Sequence, residues 1–118
     1  MEASRQPSDL DTACAHTHPR PMVSPLALEQ AAALFSTLGD PERLRLLQLL
    51  AAGESCVTEL VASTGAEFST VSQRLRVLRS QGLIARRREG KHIYYTLADC
   101  HVDQLVHNAL SHVNEGKA

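Results

Sequence analysis

From residue 26 onward, apolar residues recur three and four positions apart, the spacing that lines one face of a helix. Ala27 to Leu38 is the first such run. Asp40-Pro41-Glu42 then marks a helix start, with Asp as cap, Pro in the first turn and an acid at the positive end. Leu44, Leu46, Leu47, Leu49 and Leu50 are dense enough for a buried helix, which Ala51-Ala52-Gly53 ends. Ser55 is placed to cap a short helix from Cys56 to about Ser63, broken at Thr64-Gly65. A further helix runs from about Ser69 to Ser80 and stops at Gly82, with Val71, Leu75 and Leu78 as its inward stripe. Two short helices around a Gly-containing turn predict a helix-turn-helix, although any amphipathic helix pair shares that much of the pattern.

The period changes after Gly82. Leu83 to Arg88, then Glu89-Gly90, then Lys91 to Leu97 predicts a β-hairpin with a charged tip. Helix, turn, helix and basic hairpin is the order of a winged helix, so the expected fold is mainly α with a β-hairpin wing. The second helix of the pair would turn Ser69, Thr70, Ser72, Gln73, Arg74 and Arg76 outward, donors and acceptors suited to base edges and phosphates. Charge distribution supports that face. The formal net charge is only -1, yet seven of the twelve Lys and Arg lie between Arg74 and Lys91, where Glu89 is the one acid. On the hairpin, Arg87 and Lys91 are the expected phosphate contacts, and His92 is either structural or a further one. Phe35, Phe68, Tyr94 and Tyr95 are the only aromatics, too few for base stacking on single strands, so the expected partner is double-stranded DNA.

The last twenty residues carry a second chemistry. They read Asp99-x-His101, ten residues, then His112-x-x-Glu115. At ~100° of turn per residue, His101, His112 and Glu115 fall within roughly 60° on one helix face. Asp99 lies off that face at the helix start, where non-helical backbone can bring it toward His101. Helical rise of ~1.5 Å per residue puts the two histidines about 16 Å apart, whereas zinc bonds are ~2 Å long. One straight helix cannot gather all four side chains; two antiparallel copies can. The pattern therefore predicts a symmetric dimer with two identical metals between its C-terminal helices. Val102, Leu105, Val106, Ala109, Leu110 and Val113 form an apolar stripe on the same helix, spaced for burial against a partner. The competing reading is a solvated flank that happens to carry histidines. Cys100, Asp103 and His107 make such a flank on the other side of the stripe, where Cys100 is expected to be a packing residue.

At 118 residues the chain is one domain, with a small core unless a second subunit adds to it. Residues 1–25 are rich in proline and small polar residues and predict a flexible arm. Residues 26–118 are then the winged-helix DNA-binding and dimerisation domain. The arm clusters Cys14, His16 and His18. Three cysteines without a secretory signal or a long apolar run suggest a cytoplasmic, reducing setting and no membrane partner. In that setting an odd thiol count more often means metal binding or packing than disulfides.

With these elements assembled, the chain resembles the ArsR/SmtB family of metal-sensing repressors over roughly residues 26 to 115. The resemblance rests on Asp40-Pro41-x-Arg43-Leu44-x-Leu46-Leu47, on Glu54-x-Cys56-Val57-x-Glu59-Leu60 and on Val71-Ser72-x-x-Leu75-x-x-Leu78-Arg79. It continues through Gly90-Lys91-His92-Ile93-Tyr94-Tyr95 into the C-terminal ligand pattern. It implies a dimeric winged-helix repressor that binds palindromic operators without metal and releases them when metal binds. It also implies two metal sites. The interhelical one matches zinc sensors through Asp99, His101, His112 and Glu115, whose nitrogen and oxygen donors favour zinc, with cobalt as surrogate. The second would join the arm to the first helix of the helix-turn-helix through Cys14, His18 and Cys56. His16 competes with His18 there, and Glu59 can face the same side as Cys56. Cadmium and lead sensors of the family carry Cys-x-Cys where this chain has Cys56-x-Thr58, which leaves cadmium as a guest at the Cys-containing site. The alternative for Cys56 is a packed thiol. Glu67 stands where many relatives carry a Ser cap. Finally, the resemblance implies a relay from the second ring nitrogen of His112 to the backbone carbonyl of Gly82.

The expected function is a zinc-responsive transcriptional repressor, not an enzyme and without a small-molecule substrate. The alternative is the same fold answering to a softer metal, cadmium or lead, or to redox. A zinc hydrolase fits less well, because catalytic zinc keeps an open position that four protein ligands would fill.

Overall fold

The computed structural model describes residues 21–116. Its elements, in order, are α1 (Pro25–Leu38), α2 (Pro41–Ala52), β1 (Ser55–Cys56), α3 (Val57–Thr64), α4 (Phe68–Ser80), β2 (Ile84–Glu89), β3 (His92–Leu97) and α5 (Cys100–Glu115). The helix-turn-helix is α3 and α4, and β2 and β3 are the wing. Cys14, His16 and His18 lie outside the described residues.

Helix starts have local causes. Ser24 Oγ accepts from the Ala27 amide at 3.1 Å ahead of Pro25, so α1 begins two residues before its apolar run. Asp40 Oδ2 accepts from the Arg43 amide at 2.9 Å and starts α2 as expected. Arg43 Nε donates back to the Thr37 carbonyl at 2.9 Å, which fixes the α1–α2 corner. The expected Ser55 cap is corrected. Ser55 pairs with Tyr95 as a strand residue, and the cap of α3 is Cys56, whose amide donates to Glu59 Oε1 at 2.9 Å. The break between α3 and α4 falls on Gly65 at φ +76°, a left-handed conformation that glycine adopts without a Cβ clash. Helix α4 begins at Phe68 behind Glu67, whose side chain makes no cap bond.

The sheet is antiparallel in the order β1-β3-β2. In the wing, Ile84 pairs with Leu97 and Glu89 with His92, so the two-residue turn is Gly90-Lys91 and Glu89 belongs to the strand. That is one residue later than the hydrophobic pattern placed the tip. Gly90 at φ +63° supplies the conformation a two-residue hairpin requires.

One apolar core joins α2, α3, α4, the sheet and α5 through Leu46, Leu47, Leu60, Val71, Leu75, Leu78, Ile84, Tyr95 and Val106. The inward stripe of α4 is as expected, with Val71, Leu75 and Leu78 all fully buried. The stripe of α5 divides. Val102 and Val106 pack on the core, while Leu110 and Val113 are exposed at 38% and 58%. Phe35 on α1 is also exposed, at 59%. Terminal helices α1 and α5 therefore present apolar surface that is left exposed among the described residues. No helix among the described residues is long and apolar enough to cross a membrane.

Candidate functional site

Two sets of polar side chains stand out, one on α4 and the wing, the other on α5. Along α4, burial of Val71, Leu75 and Leu78 forces the intervening residues outward. Ser69, Gln73 and Arg76 are exposed, and Thr70, Ser72 and Arg74 are half-buried. Arg76 Nη1 donates to Gln73 Oε1 at 2.7 Å, one turn away, which holds both polar tips on the same face. These six are the residues that the sequence pattern turns outward, three of them exposed and three half-buried.

The wing places its charges unevenly. Lys91 sits in the exposed turn beside His92, whose ring packs obliquely on Tyr94 at 6.1 Å. Arg87 is held by two carboxylates and a ring, with half of its side chain exposed. Its Nε and Nη2 donate to Glu54 at 2.7 and 2.8 Å, its Nη1 donates to Glu89 at 2.8 Å, and the guanidinium lies 4.8 Å above the Tyr94 ring. With its donors turned to carboxylates, Arg87 is held as a strut from the wing to the segment before α3. Sequence reasoning missed Glu54 in this role, because its partner is 33 residues away and only the sheet brings them together.

The strut titrates. The hydrogen bonds from Arg87, aided by its charge and opposed by partial desolvation, hold the Glu54 carboxyl below its usual range. The same hydrogen bonds raise Arg87 further above its already high value. A depressed acid contributes stability that is present above its unfolded pKa, ~4.3 for Glu, and is lost as pH falls through the lower folded value. Amide exchange in β2 and β3 should therefore be slower in the wild type than in Glu54→Gln at pH 6, and the two should converge once pH has fallen below the lowered folded value. Identical wing protection at pH 6 and below would show that the pair restrains nothing.

On α5, Asp99 is the cap: its Oδ1 accepts from the Val102 amide at 3.1 Å. That extended cap backbone brings the same oxygen to 3.7 Å from His101 Nδ1, although the two residues would not share a helix face. Two donors at ~2.0 Å on a tetrahedral ion stand about 3.3 Å apart, so this pair is spaced for a shared cation with only a small adjustment. His112 and Glu115, both exposed, are three residues apart at the other end of the helix. Within one chain, no three His, Cys, Asp or Glu among the described residues converge on a metal position. Cys56 and Glu59 are neighbours at the start of α3, with the Glu59 carboxylate committed to the Cys56 amide. Cys100 is not a packing residue: it is exposed in the first turn of α5, on the flank away from Val102 and Val106. Its flank mate His107 has Nε2 3.4 Å from Ser111 Oγ.

A helix-turn-helix whose second helix is followed directly by a paired basic hairpin is a winged helix-turn-helix DNA-binding domain. Residues 40–86 match the family described as "Bacterial regulatory protein, arsR family". The chain is 47% identical over 87 residues to a "Transcriptional repressor SmtB homolog" of Synechocystis sp., covering 74% of this chain and 66% of that protein. It is 43% identical over 86 residues to the "HTH-type transcriptional regulator NmtR" of Mycobacterium tuberculosis, covering 73% and 72% of the two chains. Among solved structures, a homodimeric winged helix-turn-helix DNA-binding domain from Mycobacterium bovis aligns with TM-score 0.75 and 32% identity, over 84% of this chain and 92% of that one. The chain belongs to the ArsR/SmtB family. It carries the DNA-binding domain of a transcriptional regulator and is not an enzyme.

Proposed function

We propose that this protein is a zinc-responsive repressor that works as a homodimer, binding operator DNA without metal and releasing it when metal binds. The observation that carries the reading is the arrangement of α5, with one ligand pair at each end and exposed apolar residues in its second half. A second copy running antiparallel would cover Leu110 and Val113 and bring Asp99 and His101 of one protomer to His112 and Glu115 of the other. The homodimeric Mycobacterium bovis relative supports the dimer, and the Synechocystis repressor supports the direction of control. When bound, zinc would supply four bonds from nitrogen and oxygen donors that bridge the two helices.

The chain does the rest. Helix α5 packs on α2 and on β3, so any change in how two α5 helices meet is passed to the wing and to the elements that seat α4. Two α4 helices must meet half-sites roughly 34 Å apart, and a dimer arrangement that changes this spacing loses DNA. Metal shifts the balance only through its different affinity for the two arrangements. The proposed relay runs from His112 toward the Gly82 carbonyl, just past the end of α4. Cytoplasmic action follows from a DNA target. At the second site, Cys56 would be joined by Cys14 and by His18 or His16, with Glu59 giving up its capping bond to take part. A thiolate donor there would admit cadmium.

Mixed dimers test the inter-subunit arrangement. In a Cys56→Ser background, which silences the second site, His101→Ala and His112→Ala homodimers should each lose cobalt absorption from both interhelical sites. A heterodimer of the two concentrates both lesions in one site and leaves the other with all four ligands, and full exchange in an equimolar mixture makes about half of the dimers heterodimers, so mixing should restore about a quarter of the wild-type signal. No recovery on mixing would mean that the ligands do not come from two chains.

A further inference from the structure

The wing strands sort their arginines by face. Side chains alternate along a strand, and cross-strand partners point the same way. Arg87 pairs with Tyr94 and lies over its ring, on the face that carries Glu54. Arg86 pairs with Tyr95, which is buried, so Arg86 points to the opposite face, the one packed on α4. There it meets α4 across a cleft of about 110 Å³ lined by Ser72, Leu75, Arg76, Arg79, Arg86 and Tyr95.

Three arginines and two hydroxyl-bearing residues, Ser72 and Tyr95, thus line a cleft that no acid lines. Among the described residues, Arg79 and Arg86 have no carboxylate partner, and Arg76 bonds only the neutral Gln73. Arg87, one residue from Arg86, shows the contrast, since acids neutralise it on the other face. Like charges gathered without a counter-ion repel one another, and an anion reverses the sign of that term. Planar guanidinium forks match phosphate oxygens with paired donors. The cleft also adjoins Arg76 and Gln73, which lie on the exposed face of α4.

We propose that the α4–wing cleft of Arg76, Arg79, Arg86 and Ser72 is the seat of one backbone phosphate of duplex DNA, with Arg79 and Arg86 as its principal contacts. Arg87 keeps the wing in place beneath it instead of touching DNA. The seat fixes where α4 enters the groove and adds affinity without regard to base sequence. This inference rests on the DNA-binding reading of the fold.

The test is binding of a duplex by the full-length protein across a salt series, read by fluorescence anisotropy. Wild type, Arg79→Gln, Arg86→Gln, Arg86→Lys and Arg45→Gln are compared. Arg45, on α2 beside Leu110 and outside the cleft, controls for loss of one charge. Each lost phosphate contact should lower the slope of log affinity against log salt by about 0.9. The homodimer carries the seat twice, so Arg79→Gln and Arg86→Gln, each removing a principal contact from both seats, should each lower the slope by up to about 1.8, while Arg86→Lys and Arg45→Gln keep the wild-type slope. Circular dichroism melts confirm that the variants fold. Slopes for Arg79→Gln and Arg86→Gln equal to that of Arg45→Gln, with wild type binding DNA, would overturn the seat alone. A wild type that fails to bind any duplex would overturn the DNA reading and the seat with it. A cleft that binds excess inorganic phosphate while both glutamine variants keep the wild-type slope would assign it to a free anion, against the proposal.

Discussion

Leu78→Ala should lower the stability of the domain by about 2–5 kcal/mol, the range for removing a leucine side chain from a packed core. Leu78 is fully buried on the inward face of α4, in the cluster that joins that helix to α2, α3, the sheet and α5. Native domains hold only about 5–15 kcal/mol in total, so this one truncation removes a large part of the margin. The cost lands on the helix that faces DNA, and partial loss of its seating should weaken DNA binding before the domain unfolds. Urea denaturation measures it, at fixed protein concentration because association and folding are linked in a dimer. Gln73→Ala, on the exposed face of the same helix, should stay within about 0.5 kcal/mol of wild type. Similar losses for the two would mean that the inward and outward faces of α4 are misassigned.

His112→Ala should leave metal-free operator binding near wild type and abolish the response to zinc. His112 is on α5, exposed, and remote in sequence from the DNA-facing residues of α4, so truncating it removes no proposed DNA contact. It is nevertheless both a proposed ligand and the start of the proposed relay. Losing a tenfold response corresponds to ~1.4 kcal/mol of coupling, within the ordinary allosteric range. Total bound metal is a poor readout, because the Cys56 site would still take up zinc. DNA release is the informative one. A His112→Ala protein that still lets go of its operator at stoichiometric zinc would move regulation to Cys56 and the arm.

What the sequence made legible was what is local. The start of α2 follows from Asp40-Pro41, and the stripe of Val71, Leu75 and Leu78 determines which side of α4 faces out, whereas the start of α1 at Ser24-Pro25 was passed over for Ala27 because its first turn precedes the apolar run. The Asp99–His101 pairing was also readable, since two residues and one cap conformation produce it. Non-local features were hidden. Strand β1 is two residues long, too short for any alternation, and exists because Tyr95 and Tyr94 arrive beside Ser55 and Cys56 from 40 and 38 residues on. That pairing turned Ser55 from an expected cap into a strand residue. The Glu54–Arg87 strut and the sorting of Arg86 from Arg87 depend on the same sheet, so the sequence pointed to Arg87 as a phosphate contact, and only the cross-strand partners turn Arg87 to Glu54 and Arg86 to the α4 face. The second half of the α5 stripe shows a different limit. Leu110 and Val113 carry the helical period of a buried face, but nothing among the described residues buries them.

The central claim is that metal at α5 controls DNA at α4. The most direct test takes a duplex selected from random sequences by the metal-free protein and titrates the complex with zinc while anisotropy is recorded. The account predicts at least a tenfold loss of affinity, complete at stoichiometric metal and reversed by chelator. Equal affinity in chelator and in excess zinc would contradict it.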